Sequence, residues 1–106
     1  MTTEFHISRA EIAWKSGRVK AAIRSAKRAL DICNSGEQRV ALSVFLARAY
    51  AKIGDYSESN SIYRKLIDEK NYLPPVIMGL LYNSLASTPL SEKVRRNLGL
   101  MKLWSH

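Results

Sequence analysis

The chain has 106 residues, 46% of them hydrophobic and 25% charged, which suits one folded domain and excludes both a two-domain protein and a disordered chain. Seventeen Lys and Arg against nine Asp and Glu leave a formal charge of +8, suiting either an anionic partner or a soluble, self-repelling surface. The longest apolar run, Leu73 to Tyr82, is shorter than the ~20 residues of a membrane-spanning helix and contains two prolines.

Residues 1–7 lack the basic-then-apolar order of a secretory signal. The single cysteine, Cys33, cannot pair within the chain and suits a reducing compartment. A cytoplasmic protein without membrane contact is expected.

Six helices are predicted, in an all-α fold. The first spans residues 4–16, with Phe5, Ile7, Ala10, Ile12, Ala13 and Trp14 in two partial stripes, and Gly17 ends it. The second, Arg18 to Cys33, carries Val19, Ala22, Ile23, Ala26, Leu30 and Cys33 at three-and-four spacing, the mark of an amphipathic helix. Ser35-Gly-Glu-Gln38 has the form of a capping box that starts the third. That helix sets Leu42, Phe45, Leu46, Ala49, Tyr50 and Ile53 on one side and ends at Gly54, a residue free to take the left-handed turn.

The fourth helix runs from Tyr56 to Lys70 on Tyr56, Ser59, Ile62, Tyr63, Leu66 and Ile67. Pro74 and Pro75 open the fifth, where a missing N–H costs little, and Val76, Ile77, Leu80, Leu81 and Leu85 on several sides predict its deep burial. Thr88-Pro89 starts a sixth with the stripe Leu90, Val94, Leu98, Met101 and Trp104. Three helix pairs result, over residues 4–33, 37–70 and 74–104 of one domain covering residues 1–106.

A shift of 37 residues superposes Ala10 on Ala47, Ala13 on Tyr50, Gly17 on Gly54, Val19 on Tyr56, Ala22 on Ser59, Ala26 on Tyr63 and Leu30 on Ile67. Such self-similarity marks stacked helix hairpins, because one hairpin cannot bury its own apolar face. In the second unit Leu46-Ala47, Tyr50, Gly54, Tyr56, Ser59 and Tyr63 fall at the spacings of the tetratricopeptide repeat family, which the segment resembles. Ala47 stands where that family prefers glycine, and Ser59 where it prefers alanine. Met78-Gly79-Leu-Leu-Tyr82 is similar to the start of a third unit.

The resemblance implies a short right-handed solenoid of about three antiparallel helix pairs, binding a peptide or helix in its concave groove. It implies groove positions at Glu11, Trp14 and Lys15 of the first unit, Val44, Arg48, Ala51 and Lys52 of the second, and Leu80, Asn83 and Ser84 of the third. The core stripe of the third helix independently leaves Val44, Arg48, Ala51 and Lys52 on its opposite side. A clamp for a carboxyl terminus is not expected, since Glu11 and Leu80 interrupt the family's lysine, asparagine and arginine set.

Each candidate also has a plainer reading. The groove residues could simply face solvent. Trp14 serves either as a peptide anchor or, better supported by the few large residues of its helix, as core packing. Met101 and Trp104 either cap the last pair, the favoured reading, or dock a partner. Lys20, Arg24, Lys27 and Arg28 line one side of the second helix, ordinarily a solvated face but also able to track phosphates. The Tyr63-x-x-Leu66 ending is similar to pentatricopeptide repeats, whose RNA-binding arrays need many more hairpins.

No nucleophile, metal-ligand or phosphate-loop signature occurs, and His6 and His106 are near the termini. Cys33 reads as a small core residue. The expectation is a non-enzymatic adaptor or small chaperone, possessing no cofactor, whose groove holds a partner segment with apolar anchors flanked by acidic residues. A basic nucleic-acid-binding accessory protein is the alternative, and an oligomer assembled through the last helix is a third reading.

Overall fold

The structure is a computed structural model that describes residues 2–87. Five helices follow in chain order: α1 (Thr3–Lys15), α2 (Val19–Ile32), α3 (Gly36–Lys52), α4 (Tyr56–Asp68) and α5 (Pro74–Ser87). The described residues contain no strand, and each helix packs on the next in the chain, with α3 also touching α5. No described helix is long and apolar enough to cross a membrane. The predicted sixth helix, with Met101 and Trp104, lies outside the described residues, so the third pair is described only through α5.

Side-chain caps set three of the helix starts. Thr2 accepts from the Phe5 N–H at 3.1 Å, Ser35 from Gln38 at 3.3 Å and Asp55 from Glu58 at 3.2 Å, each satisfying a donor that the first turn leaves free. The helix ends are built alike. Arg18 N–H donates to Ala13 C=O at 2.8 Å and Gly17 N–H to Trp14 C=O at 3.1 Å; 37 residues later Asp55 donates to Tyr50 at 2.9 Å and Gly54 to Ala51 at 3.0 Å. Gly17 and Gly54 take φ of +77° and +84°, so the repeat read in side chains is also a repeat of the backbone turn.

The same termination closes α4, through Asn71 N–H on Leu66 C=O and Lys70 N–H on Ile67 C=O, both at 2.8 Å. Here the left-handed position is Lys70, at φ 65°, where a Cβ costs roughly 1 kcal/mol. Lys70→Gly is therefore expected to stabilise the chain by about 0.5 kcal/mol, once glycine's greater unfolded-state freedom is deducted. A urea melt showing no gain would mean that the lysine side chain contributes a contact of its own.

Two apolar clusters form the interior. The first joins Ala10, Ile23, Ala26, Ala29, Cys33, Leu42, Leu46, Ala49 and Tyr50, with Ile7, Trp14 and Phe45 against it. Cys33 is buried there as a small core residue, its Sγ directed at Leu30 C=O. The second gathers Ala47, Tyr63, Leu66 and Val76 between α3, α4 and α5. Because α3 supplies both clusters, it is apolar on two sides, and its single predicted stripe accounts for only one of them.

Where Ala47 and Ser59 depart from the repeat pattern, they meet. Both are fully buried, and the Ser59 hydroxyl donates to Ala47 C=O at 2.7 Å. Two small side chains let α3 and α4 approach closely, and the hydroxyl that replaces a methyl there finds an acceptor, as a buried polar group must.

The structure corrects the expectation that α5 is deeply buried. Ile77, Met78 and Leu81 keep 45%, 44% and 53% of their surface exposed, while Val76, Gly79 and Asn83 are buried. Among the described elements only α3 and α4 pack on α5, and two neighbours cover only part of a helix's circumference.

Candidate functional site

Among the described residues, clefts open along both sides of α3, toward α1 and toward α5. At the C-terminal ends of these helices Trp14, Arg48, Ala51, Lys52, Tyr56, Tyr63, Gly79, Tyr82 and Asn83 surround a cleft of about 480 Å³. Trp14 is half-buried, and its ring meets Phe45 edge-on at 5.3 Å. It thus serves the core and the cleft together. Arg48 and Lys52 are exposed on successive turns of α3, and among the described residues no carboxylate lines this cleft.

Tyr63 forms the cleft's floor and is 2% exposed. Burial pushes its phenol pKa up, and the nearby Arg48 guanidinium partly offsets that rise.

At the other end of α3 two apolar clefts flank the helix and share Ala41. Toward α1 the lining is Ile7, Ala10, Glu11, Gln38, Leu42 and Phe45; toward α5 it is Gly36, Glu37, Val40, Val44, Asn71, Leu73 and Pro75. The larger, beside α5, encloses about 780 Å³. Among the described residues, Glu11 and Glu37 are the only charged ones in these linings.

Five of the ten predicted groove residues, Trp14, Arg48, Ala51, Lys52 and Asn83, therefore line one cleft. Glu11 and Val44 line the apolar ones. Lys15 and Ser84 are exposed outside these linings, and Leu80 packs half-buried against the second cluster.

Asn83 differs from its expected role as a free groove contact. It is 1% exposed, and its Nδ2 donates to Ser59 Oγ at 2.8 Å and to Asn60 Oδ1 at 2.9 Å. Both amide hydrogens are thus committed inside the protein, and the side chain ties α5 to α4. Val44 lines a cleft in which Glu37 is the only charged group among the described residues.

Helical spacing alone missed Tyr56 and Tyr82, which the repeat pattern assigns to packing positions. It also missed Ala41, Val40, Leu73 and Pro75. The available signal was the 3.6-residue period itself: Ala41 lies seven residues before Arg48, two turns along the same face.

On the opposite side, α2, α3 and α4 border a cleft containing Lys27, Arg39, Lys65, Glu58 and Glu69 over Leu30, Leu46, Ile62 and Leu66. Lys27 turns toward it, its Nζ 5.4 Å from the Tyr50 ring centre. Polar contact with the Tyr50 hydroxyl raises the Lys27 pKa. All four residues of the predicted basic row are exposed on α2, but Lys27 also sits over an aromatic ring in a cleft with two carboxylates. Among the described residues no group of three or more His, Cys, Asp or Glu could hold a metal ion.

No protein-family model, curated protein or solved structure matches the chain.

Proposed function

We propose that the chain is a non-enzymatic interaction module, an adaptor or small chaperone, that holds a segment of a partner protein on the face formed by α1, α3 and α5. The observation carrying this reading is the convergence of Trp14, Arg48, Ala51 and Lys52, with Tyr56 and Tyr82, around one open cleft. Aromatic and arginine side chains are the residues that most often supply binding energy at protein interfaces. The adjoining apolar clefts on both sides of Ala41 extend the surface to a size a peptide or helix can fill.

In the same reading the helix pairs stack as a short tetratricopeptide-like solenoid, with α1, α3 and α5 on its concave side. The turns that recur at 37 residues and the close Ala47–Ser59 approach support it. A chaperone of the bacterial secretion type fits the chain's length and helix pairs, by analogy of size and architecture alone.

The rival reading is phosphate binding on α2 by Lys20, Arg24 and Arg28. It is the weaker one, because Lys27 sits over the Tyr50 ring and its cleft carries Glu58 and Glu69, which repel phosphate. The deciding experiment is capture of partners from native lysate by the tagged chain, with and without nuclease. It compares the parent with Arg48→Glu/Lys52→Glu and with Lys20→Glu/Arg24→Glu/Arg28→Glu. The groove reading expects a stoichiometric protein that survives nuclease and is lost only with the α3 pair. Nuclease-sensitive recovery that disappears only with the α2 triple would establish the rival instead.

A further inference from the structure

Resting on that groove reading, we infer that the face is directional: it takes an amphipathic helix of a partner protein, N-terminus over Glu11 and Glu37 and C-terminus over Arg48 and Lys52. The charges along this face are sorted by end. Among the described residues, Glu11 and Glu37 are the only charged ones lining the apolar clefts, and Arg48 and Lys52 the only ones lining the aromatic cleft. Nearby cations do not blur the division, since Arg9 stacks over Phe5 at 5.7 Å and Arg39 faces the α2–α4 side.

From Glu37 to Lys52 is fifteen residues of α3, roughly 22 Å along its axis, so a bound helix of about fifteen residues spans both ends. A helix carries about half a positive charge at its N-terminus and half a negative one at its C-terminus. Carboxylates at one end of the face and cations at the other therefore favour one orientation, parallel to α3. An extended strand has almost no net dipole to align.

The dipole of α3 opposes a parallel neighbour, but its half charges are outweighed by the unit charges of Glu37 in its first turn and Lys52 in its last. Apolar side chains of the bound helix fill the clefts on both sides of Ala41, basic residues of its first turn meet Glu11 and Glu37, and acidic residues of its last turn meet Arg48 and Lys52.

The test is selection from a displayed library of fifteen-residue amphipathic helices that share one leucine and alanine face and carry randomised charges. The bait is the full chain, in parent form and as Glu11→Lys/Glu37→Lys/Arg48→Glu/Lys52→Glu, which exchanges the two ends while leaving the formal net charge at +8. Ala41→Glu, an exposed position shared by both apolar clefts, is the blocked control, and circular dichroism verifies that each bait is folded. The expected result is basic residues first and acidic residues last in parent-selected helices, with about tenfold weaker binding when that order is reversed. The exchanged chain should invert the preference.

Selected helices without charge order, or with an order the exchanged chain leaves unchanged, overturn the orientation while leaving the groove reading standing. If no helix is retained, or if Ala41→Glu retains them equally, both readings fall.

Discussion

Gly79→Ala is expected to destabilise the chain by about 2 kcal/mol, although alanine is favoured over glycine in a helix by roughly 1 kcal/mol. A Cβ built on Gly79 would stand within 2.6 Å of the Tyr63 ring, also meeting its Cζ and hydroxyl. Tyr63 is 2% exposed and fixed in the second cluster, so the ring has little room to yield. Overpacking of this kind costs about 1–3 kcal/mol, and a contact against the hydroxyl-bearing end of a ring held in the core belongs at the top of that range.

Urea unfolding of the parent and Gly79→Ala measures the difference directly. The control is the same substitution in a Tyr63→Leu background, where the obstructing ring is gone and alanine's helix preference should be recovered. A gain in stability for Gly79→Ala alone would mean that α5 stands farther from α4 than described. Equal effects in both backgrounds would remove Tyr63 as the cause.

Gly79 also marks what sequence can and cannot convey. Its place in a Leu-Gly-like motif and the position of Tyr63 on a core stripe are both legible from local spacing. That the two meet is not, because a period of 3.6 states which face a residue occupies and nothing about which helix it faces. The same limit explains α3: a stripe of Leu42, Leu46, Ala49 and Tyr50 is readable, but Ala47 also packs, on the other side, against α4 and α5.

Helix ends were more legible than faces, since capping and left-handed turns are local chemistry. Ser35, Gly17 and Gly54 do what their types dictate, and among the described residues only Lys70 occupies a turn its side chain disfavours. The face of α3 carrying Arg48, Ala51 and Lys52 followed from periodicity, while the tyrosines facing them from α4 and α5 required tertiary structure. The basic row of α2 shows the converse. Four cations on one helical face need not form one surface when a neighbouring ring, here Tyr50, draws one of them aside.

Asn83→Ala should cost about 3 kcal/mol, the combined effect of a small cavity and of partners left without their donor in a buried site. The Asn83 amide reaches Ser59 Oγ and Asn60 Oδ1, and Ser59 in turn donates to Ala47 C=O, so one chain of hydrogen bonds joins α5, α4 and α3. Ser59→Ala should cost less, about 2 kcal/mol: Ala47 C=O remains an acceptor within α3 and the methyl group fits the space, but one buried Asn83 amide hydrogen loses its acceptor. The double substitution should fall short of the sum by at least about 0.5 kcal/mol if the two side chains act as one network.

Asn83→Leu separates volume from bonding: an apolar side chain of similar size fills the space, so a loss nearly as large as that of alanine assigns the cost to the missing donor. The loss should also be local. Hydrogen exchange ought to accelerate in α5 well before α1 and α2, whose packing involves neither Asn83 nor its partners. Uniform acceleration through α1 and α2 would show instead that the described helices unfold as one unit and that α5 is not separately latched. Because α5 walls both the aromatic cleft and the larger apolar cleft, releasing it would remove one side of the proposed binding face while leaving Arg48 and Lys52 in position. Asn83 would then govern partner binding from inside the protein rather than by touching the partner.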